Sequence, residues 1–184
     1  MMSFILRLGC PFLGAFLGHW FLRPEEKGLG KDVIGYPVLL FLVAMVFDLE
    51  LKVLLFASIL LSGVITDGRS GRIYHGTLYL LLPLSLVLFY EESSYISGLF
   101  MCLVPLYKRS KKCQFYIGEG DVYVLLFLSM AFGRNVFFTL FYASCLGLLF
   151  SLKKGRKEIY FMPFLFLGFL LSQIERLQSI LGFS

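Results

Sequence analysis

The chain has 184 residues, 58% of them apolar and 16% charged, with a mean hydropathy of +0.82 and a formal net charge of +5. Soluble domains carry about 45–50% apolar and roughly 25% charged residues, so this composition excludes a disordered regulator, a secreted disulfide scaffold and an ordinary cytosolic enzyme. With apolar runs recurring from end to end, it predicts a polytopic membrane protein, an all-α bundle of transmembrane helices.

Charges and turn residues divide the chain into eight predicted spans. They run approximately over Phe4–Leu22, Val33–Phe47, Leu51–Thr66, Thr77–Tyr90, Ser93–Tyr107, Gln114–Phe132, Val136–Leu152 and Ile159–Gln173. Several hold about 15 residues, roughly 23 Å of helix, which is short for a ~30 Å hydrocarbon core. The first apolar run is long for the core of a cleavable signal and lacks a small-residue cleavage site, so it reads as a retained helix. The loops after spans one, three, five and seven hold Arg23, Lys27, Lys31, Arg69, Arg72, Lys108, Arg109, Lys111, Lys112, Lys153, Lys154, Arg156 and Lys157, 13 of the 17 basic residues. Only Arg7, Lys52, Arg134 and Arg176 lie on the other side, with Asp48, Glu50, Glu91, Glu92 and Glu175. The positive-inside bias then puts both termini outside and the basic loops in the cytoplasm. The whole chain, 1–184, reads as a single integral-membrane domain with the lipid bilayer as its partner. The run Lys108-Arg109-Ser110-Lys111-Lys112 marks topology, and no nucleic-acid partner is expected.

Several residues are given structural readings. Cys10, Cys102, Cys113 and Cys145 form no C-x-x-C pair, so no metal site is expected and they read as small buried hydrophobes. The phenylalanines read as lipid-facing packing, His19 and Trp20 as interfacial anchors, and Gly98, Ser144 and Gly147 as points of close helix contact.

Two carboxylates stand apart, because charge near an apolar span is costly and usually functional. Asp67 ends the third span in Gly63-Val64-Ile65-Thr66-Asp67-Gly68-Arg69; its structural alternative is a turn residue neutralised by Arg69 or Arg72. Asp121 closes Gly118-Glu119-Gly120-Asp121 and opens Val122–Phe132, a run too short to cross alone, so its span should begin several residues earlier. The structural alternative for Asp121 is a helix N-cap, although glycines on both sides of Glu119 suit a sharp turn or a close approach. Glu119 is given no role. Both aspartates fall on the same predicted membrane face, where two carboxylates can share one proton and act as base and acid. The helix dipole suggests that Asp67, at a helix C-terminus, holds the proton and Asp121, at an N-terminus, loses it.

Three ordered segments resemble the type IV prepilin peptidases, membrane aspartyl proteases of the G-x-G-D class. They are Thr66-Asp67-Gly68-Arg69-Ser70-Gly71-Arg72-Ile73, Gly118-Glu119-Gly120-Asp121, and Ile159 to Gly168 around Met162-Pro163. Gly14 to Arg23 is a weaker echo of that family's first helix. The resemblance implies a catalytic pair, Asp67 and Asp121, with Gly118, Gly120 and Arg69 in support and no cofactor. It further implies cleavage of the basic leader of a prepilin or type II secretion pseudopilin, ahead of that substrate's apolar helix. The site would face the cytoplasm from a bacterial inner membrane. The chain departs from the family's pattern at Tyr74, His75, Tyr123 (commonly lysine) and Met162 (frequently glycine), and the loop after the first helix has no zinc domain with paired C-x-x-C motifs, so the resemblance leaves methylation of the new N-terminus open. His75, near Asp67, reads as a surface residue able to tune the site. Two other readings fit a pair of acids in a membrane: a small ion or proton transporter, and an inactive scaffolding relative.

Overall fold

The computed structural model describes residues 2–21, 31–46, 49–70, 73, 75–89, 93–111, 118–154 and 161–180. Among these there are eight helices and no strand: α1 (Met2–Phe21), α2 (Lys31–Val46), α3 (Leu51–Ser70), α4 (His75–Val87), α5 (Ser94–Arg109), α6 (Glu119–Phe132), α7 (Asn135–Lys154) and α8 (Met162–Ile180). Each corresponds to one of the eight apolar segments of the sequence, and seven begin within a few residues of the expected start. The sixth does not. Its helix begins at Glu119, and Gly118 before it is extended (φ −67°, ψ 143°), so the start expected at Gln114 is corrected. Residues 112–117 lie outside the described residues.

α3 packs against α1, α2, α4 and α8, while α6 packs against α4, α5 and α7. The α1–α3 seam shows why these helices approach closely. Gly14 and Gly18 of α1 face Ser58 and Ser62 of α3, and a Cβ at Gly14 would run into the Ser58 carbonyl. Small residues four apart on both helices let the backbones touch. The serines stay compact because each hydroxyl donates to its own helix, Ser58 to Leu54 O at 2.6 Å and Ser62 to Ile59 O at 2.7 Å. The Ser62 hydroxyl also pairs with Thr77 Oγ1 of α4 at 3.1 Å, and Thr139 of α7 pairs with Ser172 of α8 at 3.0 Å. Between these seams, Phe56 of α3, Phe132 of α6 and Phe169 of α8 stack edgewise, with centroids 5.1, 5.8 and 4.9 Å apart.

The interior is mainly apolar but admits small hydroxyl side chains, and large apolar side chains also cover the outside. Serine and threonine side chains fill interior positions, while Phe137, Phe138, Phe141, Leu148, Leu149 and Leu152 form an exposed stripe along α7. Tyr79, Leu82, Leu86 and Val87 do the same on α4. Contiguous apolar surface on this scale marks contact with lipid or another apolar partner. Among the described residues one helix segment, Asn135–Leu152, is long and apolar enough to cross a membrane; Gly35–Met45, His75–Val87 and Met162–Ile174 are apolar but shorter.

Three structural readings need correction. Cys10 is buried as expected, but Cys102 and Cys145 lie on outward faces, where helical periodicity puts them; Cys113 is outside the described residues. Gly147 is buried against the Phe164 ring, whereas Gly98 meets nothing and Ser144 is exposed, so the close contacts belong instead to Gly14, Gly18 and Gly168. The phenylalanines divide between the outer face and the core, because Phe56, Phe132 and Phe169 fall on the sides of α3, α6 and α8 that face each other. Trp20 is exposed, in keeping with an interfacial anchor, and His19 is half-buried.

Gly14→Leu should therefore destabilise the detergent-solubilised protein by about 1–3 kcal/mol, the usual cost of overpacking. Gly98→Leu should be close to neutral, and thermal melting of the two variants side by side tests the difference.

Candidate active site

Asp67 lies in the last turn of α3, buried at 8% exposure. It is neither in a turn nor exposed, so the turn reading is corrected, while its neutralisation by Arg69 or Arg72 falls on side chains outside the described residues. The chain compensates its carboxylate from another helix. Met162, the first residue of α8, donates its backbone N–H to Asp67 Oδ2 at 3.3 Å. Pro163 follows in the first turn, where a missing N–H is tolerated and φ is preset for the helix. The partial positive charge at the start of α8 is thus set against a carboxylate standing at the unfavourable end of α3.

Asp121 is the third residue of α6. The N-cap is Gly118, which makes no side-chain cap bond, so the N-cap reading of Asp121 is also corrected. Its carboxylate instead accepts the Gly118 backbone N–H, the backward-reaching half of a capping box, while its own N–H donates to Gly118 O at 3.1 Å. The glycine spacing has a steric reason. A Cβ on Gly120 would stand 2.8 Å from Cβ of Ile73, so α6 starts pressed against the segment between α3 and α4.

These ends enclose a cavity of about 250 Å³. Asp67 comes from α3, Ile73 from the connection, His75 and Leu78 from α4, and Gly118, Glu119, Gly120, Asp121 and Tyr123 from α6. The two aspartates are close enough for the charge of Asp67 to act on Asp121. Asp121 Oδ1 is buried and has no hydrogen-bond partner among the described residues. A buried carboxylate oxygen left unpaired is costly and calls for an explanation; a water or substrate group is the natural one in a cavity of this size.

Of the supporting residues expected from the sequence, Gly118 and Gly120 line the cavity and His75 opens α4 at its wall, exposed and 6.4 Å from the Tyr79 ring. Arg69 is in the last turn of α3, but its side chain is outside the described residues, as are Arg72 and Tyr74. The dipole assignment does not hold, because α8 gives Asp67 a helix N-terminus just as α6 gives one to Asp121. Sequence reading missed the Met162 amide. Met162 stood out only as a replaced glycine, yet what reaches the site is its backbone, which any residue there would supply. The cavity roles of Ile73 and Leu78, and the approach of Lys108 to Tyr123, carried no local signal.

Two helix-borne carboxylates sharing one cavity define a candidate acid–base pair. The chain belongs to the type IV leader peptidase family, whose model matches residues 54–152, from the first turn of α3 through most of α7, and so takes in both aspartates. Membership points to prepilin-type peptidase activity. No match is found among curated proteins or solved structures.

Gly120→Val should disturb the cavity by displacing Ile73, at a cost of about 1–3 kcal/mol. Adding Ile73→Ala should recover part of that loss, and a double-mutant cycle of melting temperatures reads the coupling.

Proposed function

We propose that the protein is an aspartic-type endopeptidase of the bacterial inner membrane that removes the leader of a type IV prepilin or type II secretion pseudopilin. The observation that carries this reading is the convergence of Asp67 and Asp121, from separate helices, on one cavity in a chain of the leader peptidase family. The apolar outer faces of α4 and α7 support a lipid surround for the whole bundle. The excess of lysine and arginine in loops on the cavity's end supports a cytoplasmic site with both termini outside.

The chemistry follows from the pair. Carboxylates that face each other away from bulk water share one proton, since both cannot ionise comfortably. The ionised member takes a proton from water as the oxygen attacks the scissile carbonyl, and the protonated member donates to the developing oxyanion. Proton return to the leaving amine breaks the C–N bond and restores the pair. Asp67 and Asp121 titrate as a unit, so neither has a fixed role. Holding the substrate's apolar helix in the same bilayer supplies orientation, leaving the carboxylates only the water and the carbonyl to manage. Among the described residues the buried Asp67 and half-buried Asp121 both sit at this one end. The interior hydroxyls of Ser58, Thr66, Ser85 and Ser129 bond to carbonyls of their own helices, which disfavours a proton relay across the bundle.

Asp67→Asn and Asp121→Asn should each abolish cleavage of a co-expressed prepilin while leaving the enzyme at normal abundance, as read by the substrate's gel mobility. Retained processing in either variant contradicts the mechanism. In liposomes, activity should follow a bell-shaped pH profile, falling on the acid side as the base is protonated and on the alkaline side as the shared proton is lost. A rate that rises monotonically with pH would exclude a protonated partner.

A further inference from the structure

Three carboxylates line the cavity, those of Asp67, Glu119 and Asp121, and among the described residues no lysine or arginine lines it. Two of the three are the proposed reacting pair. Glu119 differs from them: it is exposed, at the first position of α6, between two glycines that offer no side chain of their own. The contact of Gly120 with Ile73 fixes where α6 begins, and therefore where Glu119 stands at the cavity mouth. A nearby cation, Lys108 at the end of α5, is engaged with Tyr123: its ammonium stands 6.0 Å from the ring centroid. A hydrogen bond to the Tyr123 side chain and the charge of Glu119 both favour its charged form. Lys108 is not part of the cavity lining. Among the described residues the lining therefore carries net negative charge beside an apolar wall, which focuses the field toward an arriving peptide. An ion pair with either aspartate would disturb the proton that the pair must share. An ion pair with Glu119 leaves that proton alone.

We infer that Glu119 is a specificity-determining residue: it pairs with a lysine or arginine side chain of the substrate close to the scissile bond and so selects cationic leader segments. This rests on the peptidase reading above and assigns one residue to substrate choice.

The test uses the full-length enzyme in liposomes with two membrane-embedded model prepilins that differ in one leader residue, lysine or glutamate. The unsubstituted enzyme should favour the lysine substrate by about fivefold in kcat/KM, the scale of a partly exposed ion pair, with the difference carried by KM. Glu119→Gln should bring the ratio to about one, and Glu119→Lys should invert it. Each ratio compares two substrates on one enzyme, so any loss of folded protein cancels. If the unsubstituted enzyme cleaves, Asp67→Asn does not, and both Glu119 variants keep the original preference, the inference is overturned while the peptidase reading stands. If the unsubstituted enzyme cleaves neither substrate, the peptidase reading fails and takes the inference with it.

Discussion

Everything at the site depends on helix ends that stop at one level of the bundle. A carboxylate is costly away from water unless donors compensate it, and here the donors are backbone amides that helices leave unpaired at their first turns. Asp67 receives the first amide of α8, and Asp121 the amide of the residue capping α6. Compensation by backbone has a consequence that compensation by arginine would not. Among the described residues it holds each acid in place without a full positive charge, which leaves the pair a proton to exchange. Among the described residues one oxygen, Asp121 Oδ1, is left over for water or substrate.

The rest of the bundle holds those ends in register. Close backbone contact and interhelical hydrogen bonds join the helices to one another. The Gly14–Gly18 seam against Ser58 and Ser62 sets α1 on α3. The Ser62–Thr77 bond ties α4 to α3 one turn below Asp67, and Thr139–Ser172 ties α7 to α8. Phe56, Phe132 and Phe169 lock together the three helices that deliver Asp67, Asp121 and the Met162 amide. Packing in the middle of the bundle thus becomes precision at its end.

Much of this was legible in the residues. Apolar segments broken by charge match the eight helices found among the described residues, because segment length and flanking charge are local properties. Asp67 and Asp121 stood out since charge beside an apolar run is rare, and the alternating basic loops put both on one face. What stayed hidden was long-range or backbone-borne. The dipole argument for Asp67 considered only its own helix, and the correction came from α8, far along the chain, through an amide that no side chain announces. The start of α6 was misplaced because a span-length rule asked for more residues, whereas extended backbone at Gly118 ends the helix. Gly98 and Ser144 failed as contact residues because smallness permits close approach without saying which face has a neighbour.

The central claim is that Asp67 and Asp121 face one another within a single cavity, and thiol cross-linking measures it directly. In a background with Cys10, Cys102, Cys113 and Cys145 replaced, cysteines put at positions 67 and 121 should be joined in native membranes by the shortest bismaleimide. A cleavable linkage engineered between α4 and α5 would reveal the joined fragments on a gel. Efficient joining, with both thiols reached from the cytoplasmic side, is the predicted result. Thiols that react from opposite faces, or that no reagent of any length connects, would contradict the account.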